Sequence, residues 1–232
     1  MAELIHRLLE RNARKYSSDV AVRYPAGDIT WTWQELNARA NALAHYLVDQ
    51  GLRAGDRIAV LVPNRPEFLQ VCFAALKAGA VVVPVNVKLT AGEIGYILQD
   101  SGASVLVFDG ALAGTAEAAA AGAGVTLLLN TSELEATTSG WPQTEPDLEG
   151  TLDDQAELLY TSGTTGRPKG VQLTHNAVHS VASMMAYEID IRWRDRVLIL
   201  MPLTHSAPLN LMMTGAVYAG AACVLGDFTP QA

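Results

Sequence analysis

The segment YTSGTTGRPKG, residues 160–170, contains the residue types that bind an oxyanion such as phosphate. Glycines let backbone N–H groups approach a ligand without obstruction by a Cβ atom. Hydroxyl groups add hydrogen-bond donors, and a lysine adds a positive charge. All three kinds of residue occur here: Thr161, Ser162, Gly163, Thr164, Thr165, Gly166 and Lys169. The sequence therefore predicts a phosphate-binding loop, and Pro168 limits how far that loop can flex.

The order of residues in this loop differs from three common phosphate-binding motifs. The P-loop of nucleotide-binding proteins needs G-x-x-x-x-G-K-[ST], whereas here the lysine precedes its glycine, in Pro168-Lys169-Gly170. The segment also lacks the dinucleotide pattern G-x-G-x-x-G and the glycine loop of protein kinases. A flexible turn between two strands is the alternative interpretation of a generic loop with this composition.

The overall composition indicates a globular protein. Half of the 232 residues are hydrophobic, 17% are charged, and the net charge is −8. That balance argues against a nucleic-acid surface, which requires clustered Lys and Arg, so an anionic substrate must be held by a local site. The N-terminal residues lack the apolar stretch of a secretion signal, and no uncharged apolar run reaches the roughly 18 residues of a membrane span. We therefore expect a cytoplasmic protein.

The cysteines and histidines do not predict a metal site. Cys72 and Cys223 lie in apolar runs, which is typical of buried, reduced thiols. His175 and His179 have the i, i+4 spacing that zinc enzymes use, but they lack a glutamate between them and a third ligand. His6 fits the surface of a first helix.

Hydrophobic residues alternate between helix and strand periods along the chain. Nearly all-apolar runs at 57–62, 80–85 and 104–109 predict three neighbouring strands of a largely parallel sheet that is covered on both faces. Helical patterns separate these runs, and Thr-x-x-Glu capping boxes begin two of the helices, at Thr32 and Thr90. The alternation is typical of a doubly wound α/β fold.

The sequence changes character between residues 130 and 157. This segment holds eight Asp or Glu residues and no Lys or Arg, so we expect a solvated crossover loop. It divides the chain into a first α/β subdomain, residues 1–150, and the start of a second α/β part, residues 151–232, which carries the phosphate loop. In this second part, RVLILMP predicts a buried strand and AACVLGDF a last strand.

The loop and its surroundings resemble the adenylate-forming superfamily, whose signature is [YF]TSGTTGxPKG. This superfamily includes acyl-CoA synthetases, firefly luciferase and the adenylation domains of nonribosomal peptide synthetases. The resemblance covers the whole chain, because further segments look like the family's N-terminal half in the usual order: TWQELNARANALAHYL, DRIAVLVPNRPEF, ALKAGAVVVPVN, YILQDSGASVLVF and GVQLTHNAV. It implies the N-terminal part of the family's large domain, with two stacked α/β subdomains and mostly parallel sheets.

The resemblance also implies roles for individual residues. In the family this loop grips the β- and γ-phosphates of ATP while a carboxylate attacks the α-phosphate, which makes residues 161–166 and Lys169 nucleotide-binding and Lys169 also catalytic. The segment MPLTHSA, residues 201–207, looks like one usually written MPLFHV. Its histidine lies near the acyl pocket and the nucleotide in relatives, so His205 is a second catalytic candidate. Thr204 stands where an aromatic residue is common, which leaves the substrate acid open.

Three functions are compatible with these residues. The first is ATP-dependent activation of a carboxylic acid to acyl-AMP, followed by thioester formation with coenzyme A, with Mg²⁺ sharing the phosphate charge. The second delivers the acyl group to a carrier-protein thiol, and the third is a binding module without catalysis. The family's adenine- and Mg²⁺-binding segments and its C-terminal lid lie downstream of these motifs. We therefore expect the 232-residue chain alone to be inactive, with an apolar strand edge near AACVLGDF that favours self-association.

Overall fold

The computed structural model describes residues 2–161 and 167–227, and the strands of these residues form two sheets. In chain order the strands are β1 (Val20–Tyr24), β2 (Ile29–Thr32), β3 (Arg57–Leu61), β4 (Val81–Pro84), β5 (Val105–Phe108), β6 (Leu127–Asn130), β7 (Gln155–Thr161), β8 (Lys169–Thr174), β9 (Arg196–Ile199) and β10 (Ala222–Leu225). The six-stranded sheet has the order β6-β5-β3-β4-β7-β8, and the four-stranded sheet has the order β2-β1-β10-β9. Neighbouring strands are parallel except in the pairs β7–β8 and β1–β2. This arrangement confirms the predicted α/β class with mostly parallel sheets.

Helices connect the strands. They are α1 (Ile5–Lys15), α2 (Trp33–Asp49), α3 (Pro66–Lys77), α4 (Ala91–Ser101), α5 (Ala113–Ala120), α6 (Leu134–Thr137), α7 (His175–Glu188) and α8 (Thr214–Ala219), with a π-helical segment at Ala207–Met213. The side chains of Thr32 and Thr90 accept a hydrogen bond from the backbone N–H three residues on, and the glutamates there reach back. Both predicted capping boxes are therefore confirmed. No helix in the described part of the chain is long and apolar enough to cross a bilayer.

Both faces of the six-stranded sheet are packed. Alternate residues of β3 belong to two separate apolar clusters: Ile58 and Val60 to one, Ala59 and Leu61 to the other. All four are fully buried. An apolar run without alternation is expected for a parallel strand that is covered on both sides. The three predicted runs form β3, β4 and β5, which are neighbours as expected.

The division of the chain at residue 150 stays a prediction. Each sheet combines strands from both sides of that residue: β7 and β8 extend the sheet of β3–β6, while β9 and β10 join β1 and β2. Strand pairing thus continues across the predicted boundary.

The acidic segment between residues 130 and 157 is less solvated than expected. It contains α6, whose Leu134 is buried in the larger apolar cluster. Its Glu145 forms an ion pair with Lys77, a lysine that is only 1% exposed. Glu157 lies inside β7 and is 4% exposed. Net acidity therefore did not distinguish solvent-facing carboxylates from those that have partners in the interior.

Two further expectations about burial are wrong. His6 is buried, because its ring packs edge-on against that of His175 at 6.0 Å between centroids. The strand predicted from RVLILMP, β9, is an edge strand, and its Leu198 is 54% exposed. The strand within AACVLGDF, β10, is itself paired on both sides, by β1 and β9, and the open edge near it is that of β9.

Candidate phosphate-binding site

The hairpin of β7 and β8 sets the position of the predicted phosphate loop. Its two strands are antiparallel, and Thr161 pairs directly with Lys169 at the end of the ladder. Both residues are exposed. The structure thus brings together two predicted site residues that are eight positions apart in the sequence, one on each arm of the loop. A hydroxyl and an ammonium group at this place can both donate to an anion.

Five predicted loop residues lie outside the described part of the chain: Ser162, Gly163, Thr164, Thr165 and Gly166. Their role in phosphate binding stays a prediction. The hairpin that holds them is closed by packing at Gly170. A Cβ atom there would lie 2.9 Å from Leu158 Cδ1 and 3.2 Å from Tyr160 Cζ, so a side chain at this position would require the Leu158 side chain to shift. The glycine that follows the lysine therefore allows Leu158 and Tyr160 to pack closely against the β8 backbone.

Helix α4 supports both arms of the hairpin. The Tyr160 hydroxyl donates to Asp100 Oδ2 at 2.6 Å, and the Tyr96 hydroxyl donates to the Pro168 carbonyl at 3.3 Å. The Arg167 guanidinium lies over the Tyr96 ring, 5.6 Å from its centroid. Burial and the bond to Asp100 raise the pKa of the Tyr160 phenol, so it stays a neutral donor. The sequence analysis missed Tyr96 and Asp100, whose i, i+4 spacing on one helix face was the available signal.

His205 is exposed in the turn between β9 and the π-helical segment. This turn is fixed by Asn64, a buried residue just after β3. Its Nδ2 donates to the Met201 carbonyl at 2.9 Å, and its Oδ1 accepts from the Leu203 N–H at 2.9 Å. Asn64 therefore holds the backbone on which His205 stands, and the sequence analysis missed it. Within the described residues, His205 makes no hydrogen bond to Thr161 or Lys169, so its catalytic role stays a prediction.

The histidines at the start of α7 are packing residues. His175 Nδ1 accepts a hydrogen bond from the Ile5 N–H at 3.2 Å, and His179 packs edge-on against Tyr218 at 5.4 Å. Burial lowers the pKa of His175 to about 4. Among residues 2–161 and 167–227 there is no cluster of three His, Cys, Asp or Glu side chains that could hold a metal.

The lowered pKa of His175 predicts a specific loss of stability in acid. Because the folded pKa lies below that of the unfolded chain, the stabilising effect is present above about pH 6.5 and is lost as pH falls toward about 4. Between about pH 7 and about pH 5, this residue should cost about 2 kcal/mol of unfolding free energy. His175→Asn keeps an acceptor near the Ile5 N–H and cannot titrate. Urea unfolding at both pH values should show a smaller pH dependence in this variant, and an unchanged pH dependence would contradict the assignment.

The geometry defines a class of protein before any comparison: an α/β protein with mostly parallel sheets, whose six-stranded sheet ends in the β7–β8 hairpin that carries the predicted phosphate loop. The chain belongs to the family of AMP-binding enzymes, because the family's model matches residues 9–232.

Two characterised relatives indicate the branch of the family. The chain is 40% identical over 197 residues to the long-chain-fatty-acid–CoA ligase FadD13 of Mycobacterium tuberculosis, an alignment that covers 83% of this chain and 39% of the relative. It is 40% identical over 223 residues to the feruloyl-CoA synthase of an Amycolatopsis species, which covers 96% of this chain and 44% of the relative. The chain thus spans less than half the length of either enzyme.

Solved structures agree with the fold. The N-terminal domain of FACL13 from Mycobacterium tuberculosis, in an inhibitor-bound crystal structure, superposes with a TM-score of 0.92 at 36% identity, covering 98% of this chain and 58% of that one. ATP-bound MatB from Rhodopseudomonas palustris superposes with a TM-score of 0.86 at 28% identity, covering 98% and 46%. The α/β arrangement described above is therefore that of an N-terminal region in this family.

Proposed function

We propose that the full-length protein activates a carboxylic acid with ATP and transfers the acyl group to the thiol of coenzyme A. In the first step a carboxylate oxygen attacks the α-phosphorus of ATP, the bond to the bridging oxygen breaks, and pyrophosphate leaves. In the second step a thiolate attacks the acyl carbon, and AMP leaves with the electron pair of the cleaved bond. The observation that carries the proposal is the pairing of Thr161 with Lys169 at the base of the 160–170 loop.

Preorganised donors are the main device that such a site offers. Lys169 and the donors of the loop would stabilise the negative charge that develops on the departing pyrophosphate. The same groups would orient the triphosphate for in-line attack. ATP binding is supported by the family match and by the ATP-bound state of MatB. The relatives act on a fatty acid and, by name, on ferulate, so the proposal extends to the class of carboxylic acids and no further.

Mg²⁺ would neutralise part of the triphosphate charge in such a reaction. The described residues offer no cluster of carboxylates at the hairpin that fits the ion. Coenzyme A as the acceptor is supported by the names of both relatives, while a carrier-protein thiol is the alternative acceptor. The cytoplasmic location stays a prediction.

The proposal is tested by pyrophosphate exchange on the full-length protein. A panel that includes a long-chain fatty acid and an aromatic acid should reveal at least one acid that supports exchange of labelled pyrophosphate into ATP. The same acid with coenzyme A should then yield an acyl thioester and AMP. Formation of ADP and phosphate would contradict the reaction class. Binding of ATP without exchange for any acid would favour the non-catalytic alternative.

A further inference from the structure

A buried hydrogen bond joins the strand that enters the phosphate loop to the segment that follows His205. Glu157 lies in β7, four residues before Thr161, and is 4% exposed. Asn210 lies in the π-helical segment and is 2% exposed. Its Nδ2 donates to Glu157 Oε2 at 2.9 Å, across 53 positions of sequence. This contact therefore connects the strand that carries Thr161 to the segment that directly follows the turn of His205.

The surroundings of Glu157 make burial of its charged carboxylate energetically unfavourable. Burial raises the pKa of its carboxyl group to about 7, with the hydrogen bond from Asn210 opposing that rise. In the sheet its neighbours are Val82 of β4 and Leu173 of β8, and neither carries a charge. Cys72 of α3 is the titratable group near it: burial and then the Glu157 carboxylate raise the pKa of that thiol. In the described part of the chain, no cation pairs with Glu157.

Burial of the Asn210 side chain is energetically unfavourable as well. Its Oδ1 is buried without a hydrogen-bond partner among the described residues. A buried polar group without a partner costs free energy, and apolar side chains of similar shape would avoid that cost. The pair is therefore poorly explained as a contribution to stability alone.

The backbone around Asn210 is also unusual. The segment Ala207–Met213 is π-helical, and such wide turns are rare and frequently occur at functional sites. The segment starts two residues after His205, and the Leu209 N–H within it donates to the His205 carbonyl at 3.1 Å. The wide turn is closed by Thr214, whose hydroxyl donates to the Leu209 carbonyl at 3.0 Å. A displacement of Asn210 would thus move the turn that carries His205.

We propose that Glu157 and Asn210 form a positioning pair that fixes the His205 segment against the strand leading into the phosphate loop. The inference rests on the proposed function, because it assigns these two elements to one active site. Because a hydrogen bond is directional, it fixes the relative position of two elements more closely than apolar packing does. A misplacement of about 1 Å far from the chemistry can cost about a hundredfold in rate.

The test compares variants of the full-length protein by kcat for pyrophosphate exchange, KM for ATP and thermal midpoint. Glu157→Gln keeps a carbonyl oxygen that accepts from Asn210 and is uncharged at every pH. It should retain kcat within about threefold and remove any inflection of the pH–rate profile near 7 that Glu157 causes. Glu157→Met and Asn210→Leu each remove the bond, and each should lower kcat by about tenfold or more with little change in KM.

The double variant Glu157→Met/Asn210→Leu separates positioning from packing. Replacing both partners by apolar groups should restore the thermal midpoint, because no polar group is left buried without a partner. The kcat should stay low. The matched control is Asn12→Leu in α1, which removes a buried hydrogen bond to the Val217 carbonyl and should lower the midpoint but not kcat. Recovery of kcat together with the midpoint in the double variant would overturn the proposal.

Hydrogen–deuterium exchange provides a readout that does not depend on activity. Asn210→Leu should speed exchange of the amides of residues 156–161, although they belong to another element. Unchanged exchange there would overturn the positioning role, even if the enzyme proved inactive with every acid. An inactive wild-type protein with coupled exchange would instead contradict the proposed function and leave the positioning pair supported.

Discussion

Lys169→Ala should lower the rate of acyl-adenylate formation by the full-length protein by about 10²–10³-fold, which corresponds to about 2.7–4 kcal/mol of barrier. The reason is the position of the lysine. Lys169 is exposed at the end of the β7–β8 ladder, opposite Thr161 and at the base of the predicted phosphate loop. The thermal midpoint should therefore stay within about 1–2 °C of the wild type, since surface substitutions away from special features change stability little. Exchange kinetics and thermal melts on the same preparation measure both quantities.

The matched control is Lys15→Ala, which removes another exposed lysine, at the end of α1. It tests whether the loss of one surface charge affects activity in general, and its rate should equal that of the wild type. Lys169→Arg adds a second comparison: it retains the charge but presents it in a planar fork, so a partial loss of rate is expected. A midpoint that falls in parallel with activity in Lys169→Ala would show that this lysine is structural.

Much of the central sheet could be predicted from the sequence. β3, β4 and β5 are apolar on both faces, and such runs have one stable location, the covered interior of a parallel sheet. The capping boxes at Thr32 and Thr90 were equally predictable, because all the hydrogen bonds of a capping box form within four consecutive residues. These features depend on short-range physics or on burial alone, and both are visible in one sequence.

The order of the second sheet could not be predicted in this way. β10 inserts between β1 and β9, so its partners are β1, about 200 residues earlier in the chain, and β9. The choice of partner is made by long-range packing, for which strand propensity carries no information. The same limit explains β9, whose apolar sequence suggested burial although the strand lies at a sheet edge.

The residues that support the candidate site could not be predicted from the sequence either. Tyr96, Asp100 and Asn64 act through partners far along the chain, and their types alone do not reveal which backbone or hydroxyl group they meet. Buried charges are harder still, because a carboxylate such as Glu157 looks like any other solvated acid in a composition count. In this protein the residue types of the 160–170 segment were enough to propose a phosphate loop, whereas the groups that support the β7–β8 hairpin required the three-dimensional contacts.

The second large expected effect is a loss of folding stability when a buried ion pair at the end of α3 is broken. Lys77, in the last turn of α3, is 1% exposed, and its ammonium group forms an ion pair with Glu145. Glu145 also accepts from Asn37 Nδ2 at 2.6 Å and from Asn41 Nδ2 at 3.3 Å, which attaches the acidic segment to α2. Burial lowers the pKa of Lys77, although the bond to Glu145 opposes that shift. Burial raises the pKa of Glu145, but the bonds from Asn37 and Lys77 outweigh it and the net shift is downward.

Glu145→Ala should therefore destabilise the protein by about 3–5 kcal/mol, because it leaves the Lys77 charge buried without a counter-ion. Urea unfolding at neutral pH measures the loss. Arg192→Ala is the matched control, since it breaks an ion pair with Asp190 whose side chains are both more than 70% exposed and should cost less than about 1 kcal/mol. Lys77→Met in the Glu145→Ala background should recover most of the loss, because no buried charge remains.

The pH dependence of Glu145→Ala identifies the cause of its instability. The folded pKa of Lys77 lies below that of the unfolded chain, so the folded state sheds the proton first and stability rises as pH increases through the folded pKa. Without Glu145 this pKa should fall further, and the variant should regain part of its lost stability as pH rises from neutrality toward the pKa of an unfolded lysine, about 10.4. Lys77→Met/Glu145→Ala, which has no group to titrate at this position, should lack that gain. The loss of unfolding free energy in Glu145→Ala could instead stay constant over this range. That result would mean that lost packing of the 141–150 segment destabilises the protein, and not an unpaired ammonium group.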